Sequence, residues 1–193
     1  MATSKRTRLT REDRQRQLLD LAWLIAREEG TESLTLGRLA ERAEVTKPVV
    51  YDHFGTRSGL LIALYQEYDA RQTALMDSQL ERTPAKLEAR AQVIAASYVD
   101  CVLSQGTEIA GVIAALAGSP ELEQVKREWE AGFMKKLRKL LAPFGGKLSD
   151  AGLWAMLGSA ESLSSAAARE DISASEAKRE LYEAVLALVK RKR

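Results

Sequence analysis

The sequence predicts an all-α protein of about nine helices, a small N-terminal three-helix unit followed by a larger antiparallel bundle. Three observations carry that prediction. No stretch alternates apolar and polar residues in the manner of a strand over a useful length. Apolar residues recur instead at three- and four-residue spacing. Ser and Thr caps, with Gly and Pro breaks, fall between the segments that show this spacing.

In order, residues 11–29 form the first helix, with Thr10 as N-cap, Leu18, Leu21, Ala22 and Ile25 on its buried face, and Gly30 as its end. Two short helices fill residues 35–54. Thr35 caps the first, whose Leu36, Leu39, Ala40 and Ala43 turn inward. Glu44-Val45-Thr46 is the connection. Thr46 caps the second helix, and Lys47 and Pro48 occupy its first turn, where the missing proline N–H costs nothing. Val50 and Phe54, four apart, point inward, which leaves Thr46, Lys47, Val49, Tyr51 and His53 for solvent. A short helix exposing a cation, two hydroxyls and an imidazole suits a DNA major groove. Residues 35–54 therefore read as a helix-turn-helix.

Thr56 then caps a long helix to about residue 80, carrying Leu60, Leu61, Leu64, Tyr68, Leu75 and Met76. Arg82-Thr83-Pro84 is the clearest break, and Pro84 suits the start of a helix running to Gly106, with Leu87, Ala91, Ile94, Tyr98, Cys101 and Val102 inward. Residues 107–118 form a short, almost wholly apolar helix. Ser119-Pro120-Glu121 opens another that ends near Pro143, before the loop at Gly145-Gly146. Ser149-Asp150 caps a helix to about Arg169, and Ser173 or Ser175 caps the last, over 174–190.

The chain has 193 residues, 46% apolar and 29% charged, which describes an ordinary globular protein with enough length for a real core. A net charge of +2 excludes a polycation that coats nucleic acid, but the distribution is uneven. Residues 1–16 hold Lys5, Arg6, Arg8, Arg11, Arg14 and Arg16 against Glu12 and Asp13. Two readings of this arm stand open: it reaches phosphates or a minor groove, or it is a solvated tail. Lys190-Arg191-Lys192-Arg193 reads as a solvated end that complements a helix C-terminus. A single cysteine, Cys101, excludes an internal disulfide framework and fits a reducing compartment. The basic N-terminus has no apolar stretch behind it, and the longest near-apolar run, 109–118, falls short of the ~20 residues that span a bilayer. The expectation is a cytoplasmic protein with no membrane partner. With one histidine and one cysteine, no nucleophile–base pair or metal cluster is assembled, and no Gly-x-Ser-x-Gly or phosphate-cradling glycine loop occurs. The expectation is a protein that is not an enzyme and takes no cofactor or metal.

Residues 14–64 resemble the DNA-binding domain of the TetR family of bacterial transcriptional regulators. The matching residues are Leu18-Leu19, Ala22, Ile25, Gly30, Thr35, Leu39-Ala40, Ala43, Val45-Thr46, Val50-Tyr51, His53-Phe54, Thr56-Arg57 and Leu60-Leu61. The resemblance implies a basic arm and helix-turn-helix domain at 1–57, and an effector-binding and dimerisation domain at 58–193. It implies a repressor that binds double-stranded DNA at a palindromic operator as a homodimer and is released by a small-molecule effector. The alternative is a DNA-binding protein without such an effector, controlled by a protein partner through the apolar 107–118 segment.

Among the reading residues, Lys47 reaches a guanine edge or a phosphate, and Val49 meets a thymine methyl. Thr35 and Thr46 mark helix N-termini whose free N–H groups attract phosphate. Pro48, in the first turn of the reading helix, is counted with them at the DNA-binding surface. Arg57 sits in the first turn of the fourth helix, an unfavourable place for a cation unless a phosphate lies there. The resemblance gives Tyr51 and His53 phosphate-contacting roles. Two departures from the family pattern stand out. Glu44 occupies a position that is commonly glycine, in a turn that tends to need positive φ, at about 1 kcal/mol of strain. Ser58-Gly59 replaces an acidic pair, which weakens the start of the fourth helix.

The resemblance also places a dimer on the last two helices, through Leu157, Ala160 and Ser164 and through Leu181, Val185 and Leu188; the other reading is that both helices pack on their own core. It places an effector pocket in the bundle, with Tyr98, Cys101, Ile113, Trp129, Phe133, Trp154 and Glu161 as lining, beside Met134 and Met156. Such a lining suits a small hydrophobic or aromatic molecule, and the competing reading is plain core. Glu161 either pairs with a cationic ligand or is a solvated or interface carboxylate.

Overall fold

The computed structural model describes residues 9–104, 107–145 and 148–190. Lys5, Arg6 and Arg8 of the basic arm, Gly106, Gly146 and the 191–193 end lie outside them. The described residues form nine α-helices and one 3₁₀ turn, the all-α class that the sequence predicts. They are α1 (Arg11–Glu29), the 3₁₀ turn (Thr31–Ser33), α2 (Leu36–Arg42), α3 (Lys47–Phe54), α4 (Arg57–Glu81) and α5 (Leu87–Leu103). α6 (Thr107–Leu116), α7 (Pro120–Gly145), α8 (Asp150–Ala168) and α9 (Ala174–Lys190) complete the chain.

Side-chain caps set most of these starts. Thr10, Thr35, Ser119 and Ser149 each accept a backbone N–H from the residue three further on, at 3.0–3.1 Å. At α9 the cap is Ser173 and not Ser175. Ser173 Oγ accepts the Glu176 N–H at 3.2 Å while the Ser173 N–H donates to Glu176 Oε2 at 2.9 Å, a reciprocal capping box. Three boundaries differ from expectation. α5 starts at Leu87, because the Lys86 N–H first donates to the Pro84 carbonyl at 2.7 Å and Pro84 is spent on a turn. It also stops at Leu103, short of Gly106. α7 passes through Pro143 to Gly145: so near the end, proline removes one bond of the last turn. The nearby Leu140 carbonyl is taken by Arg90 at 2.9 Å.

The chain packs as two compact units. The first holds the residues up to Tyr68, α6, and α7 up to Leu122. Its core includes Leu18, Ile25, Leu34, Leu39, Val50 and Leu60. α6 contributes Ile109, Val112 and Leu116 to that core, and Gly111 is what lets it approach so closely, since a Cβ there would overlap the Thr31 hydroxyl. The second unit holds the rest of α4, then α5, and everything from Glu123 onward. Here α5, α8 and α9 pack on one another around Ile94, Val99, Leu153, Leu181 and Val185, with Leu137 of α7.

Candidate functional site

α3 is short because glycine ends it and proline begins it. Pro48 lies in its first turn, and Gly55, at φ 67°, closes it with its N–H on the Tyr51 carbonyl at 2.8 Å. Val50 and Phe54 are buried. Thr46, Lys47 and Pro48 are exposed, Tyr51 is 53% exposed, and Val49 is half-buried. The structure thus brings Lys47, Pro48, Val49, Tyr51 and His53 onto one short helix with its apolar pair turned away, while Thr35 caps α2, Thr46 precedes α3 and Arg57 opens α4. The Lys47 stem runs over Gly37 of α2, 3.6 Å from where a Cβ on that glycine would lie. The α2–α3 turn carries Glu44 at φ 52°, in the left-handed region its position was expected to need.

Two of the expected roles change. Thr46 has the extended backbone of a cap, but its hydroxyl accepts no bond from the helix. The reason is local: Pro48 has no N–H to offer, and the Val49 N–H goes to Thr46's own carbonyl at 3.0 Å. Arg57 is not a bare cation waiting for a phosphate. Its Nε donates to the Leu34 carbonyl at 2.9 Å and its Nη2 to the Thr31 carbonyl at 2.8 Å, with Glu32 at 3.7 Å. It clamps the 3₁₀ turn onto the start of α4, and the carbonyls offset the unfavourable dipole. Ser58-Gly59 also has a reason. Thr56 caps α4 by accepting the Gly59 N–H at 3.0 Å, and a Cβ at Gly59 would overlap the Phe54 carbonyl oxygen. The glycine is a close-approach residue between the end of α3 and the start of α4.

His53 is half-buried, and its Nδ1 is buried with no partner in the protein. Burial, then the neighbouring Arg11, holds its pKa below the ordinary histidine value, with Asp52 pulling the other way. A ring nitrogen buried without an acceptor disfavours a proton there, so the neutral ring carries its proton on Nε2.

Sequence spacing gave no sign of several polar links that brace this face. Arg11, at the start of α1, holds Asp52 of α3 at 2.6 Å and also donates to the Asp52 carbonyl at 3.1 Å. Arg38 grips Glu29 with two bonds, at 2.9 and 2.8 Å, and lowers that carboxyl's pKa; Arg42 reaches Glu28 at 2.6 Å. The Trp23 indole donates to Glu67 of α4 at 2.6 Å.

In the second unit, three of the expected pocket residues gather. The Trp129 and Phe133 rings stack at 5.0 Å between centroids, 9° from parallel, and Tyr98 lies tilted against both at 6.1 and 5.8 Å. Asp69 of α4 is half-buried in the same unit. Burial pushes the Asp69 carboxyl up to about 6, against the lowering pull of Trp129 and the Lys136 charge. Cys101 is half-buried on α5. The others do not join. Ile113 packs against the core of the first unit, Trp154 is 52% exposed and Glu161 is exposed.

The residues expected at the dimer contact are corrected by their burial. Leu157, Ala160, Ser164, Leu181, Val185 and Leu188 all lie in the core of a single chain, where α8 and α9 pack on each other and on α5. Amphipathic spacing locates a buried face, and here that face is covered from within. What α8 leaves exposed is Asp150, Ala151, Trp154, Ala155, Gly158, Glu161, Ser162, Ser165 and Ala168. A shallow groove between α8 and α9 runs beside it, lined by Gly158, Ser159, Ser162, Leu163, Glu180 and Ala184. The apolar α6 is likewise no free docking face, since its large side chains are in the core of the first unit.

Residues 18–64 match the family model for bacterial regulatory proteins of the tetR family. Solved structures share the fold over nearly the whole chain. The multidrug binding protein EbrR complexed with imidazole is 18% identical, with 93% of this chain and 97% of that one covered and a TM-score of 0.66. The fatty acid degradation regulator FadR from Bacillus halodurans is 16% identical, at 93% and 97% coverage and a TM-score of 0.67. SCO4454, a TetR-family transcriptional regulator from Streptomyces coelicolor, is 18% identical, at 93% and 95% coverage and a TM-score of 0.64. Among curated proteins nothing matches the chain.

Proposed function

We propose that this chain, which belongs to the TetR family of bacterial regulatory proteins, is a one-component transcriptional repressor: a homodimer that binds a palindromic operator and leaves it on binding a small hydrophobic or aromatic effector. The observation that carries the reading is α3, an eight-residue helix exposing Thr46, Lys47 and Tyr51 while burying Val50 and Phe54. Lys47 reads a base edge, Val49 a thymine methyl, and the Tyr51 hydroxyl and the His53 Nε2–H bind phosphates on the flanks of the groove. Arg11 and Arg57 act indirectly, one holding Asp52 and the other the turn before α2.

A two-fold dimer presents two such helices about one DNA turn apart, roughly 34–36 Å. The exposed face of α8, where Ala155, Gly158, Ser162 and Ser165 stand beside Trp154, and the groove next to it support approach of a second copy there. The effector site is centred on Tyr98, Trp129 and Phe133. The ligand favours a state in which the reading helices are wrongly spaced, and α4, whose residues are shared between the two units, carries that change. The burial of Ile109, Val112 and Leu116 favours this reading over control by a protein partner through α6. No described helix is long and apolar enough to cross a membrane, in keeping with a DNA-binding protein of the cytoplasm. The role is binding, without catalysis.

The test is selection of bound fragments from the source genome at two salt concentrations, followed by variants on the recovered site. A palindrome that survives the higher salt is expected. Tyr51→Phe then weakens binding roughly tenfold on every operator variant, as loss of one bond to a charged phosphate does. Lys47→Ala weakens it and flattens the preference at one base position. Base preference unchanged in Lys47→Ala would overturn the role of Lys47, and salt-sensitive binding without sequence preference would overturn the regulator.

A further inference from the structure

We propose that Gly37 of α2 is a specificity-determining position: its missing side chain leaves the notch in which the Lys47 stem lies, and so decides which base Lys47 reads. The inference rests on the operator-binding reading above and deepens it at one residue. Gly37 falls inside a helix of only seven residues, where glycine is among the poorest helix formers. Its backbone does not require glycine, since positive φ among the described glycines belongs to Gly30, Gly55 and Gly118. Close approach does not require it either. A Cβ at Gly37 would lie 3.6 Å from Lys47 Cε, 3.9 Å from Lys47 Nζ and 3.9 Å from Thr35 Oγ1, all ordinary van der Waals contact. At Gly59 and Gly111, by contrast, the same atom would overlap a neighbour. What glycine leaves free at position 37 is the space beyond a Cβ, and the end of the Lys47 side chain occupies it.

That side chain passes from the start of α3 to the start of α2. A lysine stem surrounded by water samples many rotamers, whereas one laid along a neighbouring helix keeps few, and its charge is aimed. The charge is also uncommitted. Arg38 donates twice to Glu29 and Arg42 donates to Glu28, while among the described residues no carboxylate pairs with Lys47. Of the lysine and arginines on α2 and α3, Lys47 is thus the one left for DNA, and position 37 sets its direction. An ammonium aimed at a base edge prefers guanine, whose O6 and N7 both accept. A side chain longer than a methyl at position 37 would take the same space and turn the ammonium elsewhere.

Base selection on the recovered operator tests this, with Gly37→Ala, Gly37→Leu and Gly37→Gln beside Lys47→Ala and thermal unfolding of each protein. The readout is the preference at each base position, which a uniform loss of affinity does not move. Gly37→Ala is expected to raise Tm and keep the wild-type preference, because a methyl only touches the stem. Gly37→Leu and Gly37→Gln should fold at least as well as wild type. Each should reduce a roughly tenfold preference, at the position that Lys47→Ala flattens, to about twofold. Adding Gly37→Leu to Lys47→Ala should flatten that position no further, since both changes remove one and the same contact. A preference that survives Gly37→Leu or Gly37→Gln, or that Gly37→Ala destroys as thoroughly as Lys47→Ala, would overturn the inference and leave the regulator standing. So would a loss confined to a base position that Lys47 does not govern. If the wild-type chain selects no operator, the regulator reading and this inference fall together.

Discussion

Glu44 stands at φ 52° in the turn between α2 and α3. A residue with a Cβ is strained in that region, by about 1 kcal/mol relative to glycine. Glu44→Gly should therefore stabilise the chain by about 1 kcal/mol, or a rise of ~2–4 °C in Tm for a protein of this size, read by calorimetry. An unchanged or lower Tm would mean that the glutamate's own contacts outweigh its backbone. The strain was legible through the resemblance, which puts a glycine at this position of the turn. Gly59 was legible only as an oddity. Its cause is the Phe54 carbonyl, which comes close only once α3 and α4 are both folded.

At the scale of the element, the helices that could be drawn from the sequence are those whose ends are decided locally. Thr10, Thr35, Ser149 and Ser173 each meet an N–H three residues away, and no distant contact is needed to know it. Thr46 failed as a side-chain cap for an equally local reason, the proline two positions on. Arg57 is different. Its partners, Leu34 and Thr31, lie 23 and 26 residues back, and no spacing rule points to them. Because it braces the turn before α2, Arg57→Ala should cost about 1.5–3 kcal/mol of stability, measured by denaturant unfolding without DNA. Arg57→Lys should recover little, since one ammonium cannot reproduce the two-pronged donation of a guanidinium. A variant as stable as wild type that only weakens operator binding would return Arg57 to the phosphate role.

For the molecule as a whole, the hydrophobic spacing of α8 and α9 was read correctly as a buried face but ascribed to the wrong neighbour. Leu157 and Leu181 carry the same pattern whether a second chain or their own covers them. The exposed face of α8 gives the sharper test of assembly. A Cβ at Gly158 would meet nothing within 4 Å in the single chain, so Gly158→Arg should leave the fold intact and gain a little helix propensity. In a dimer closed through this face, the arginine is expected to yield monomers in analytical ultracentrifugation and to remove operator binding. A Gly158→Arg protein that still sediments as a dimer would place the assembly elsewhere. The three tryptophans are distributed to report on all of this without any label. Trp23 is bonded to Glu67 in the first unit, Trp129 stacks on Phe133 in the aromatic cluster of the second, and Trp154 stands in the open on α8. Acrylamide should quench the red-shifted emission of Trp154 first, a second copy should shield it, and a bound effector should change only the bluer light of Trp129, so that a single cuvette distinguishes assembly from ligand.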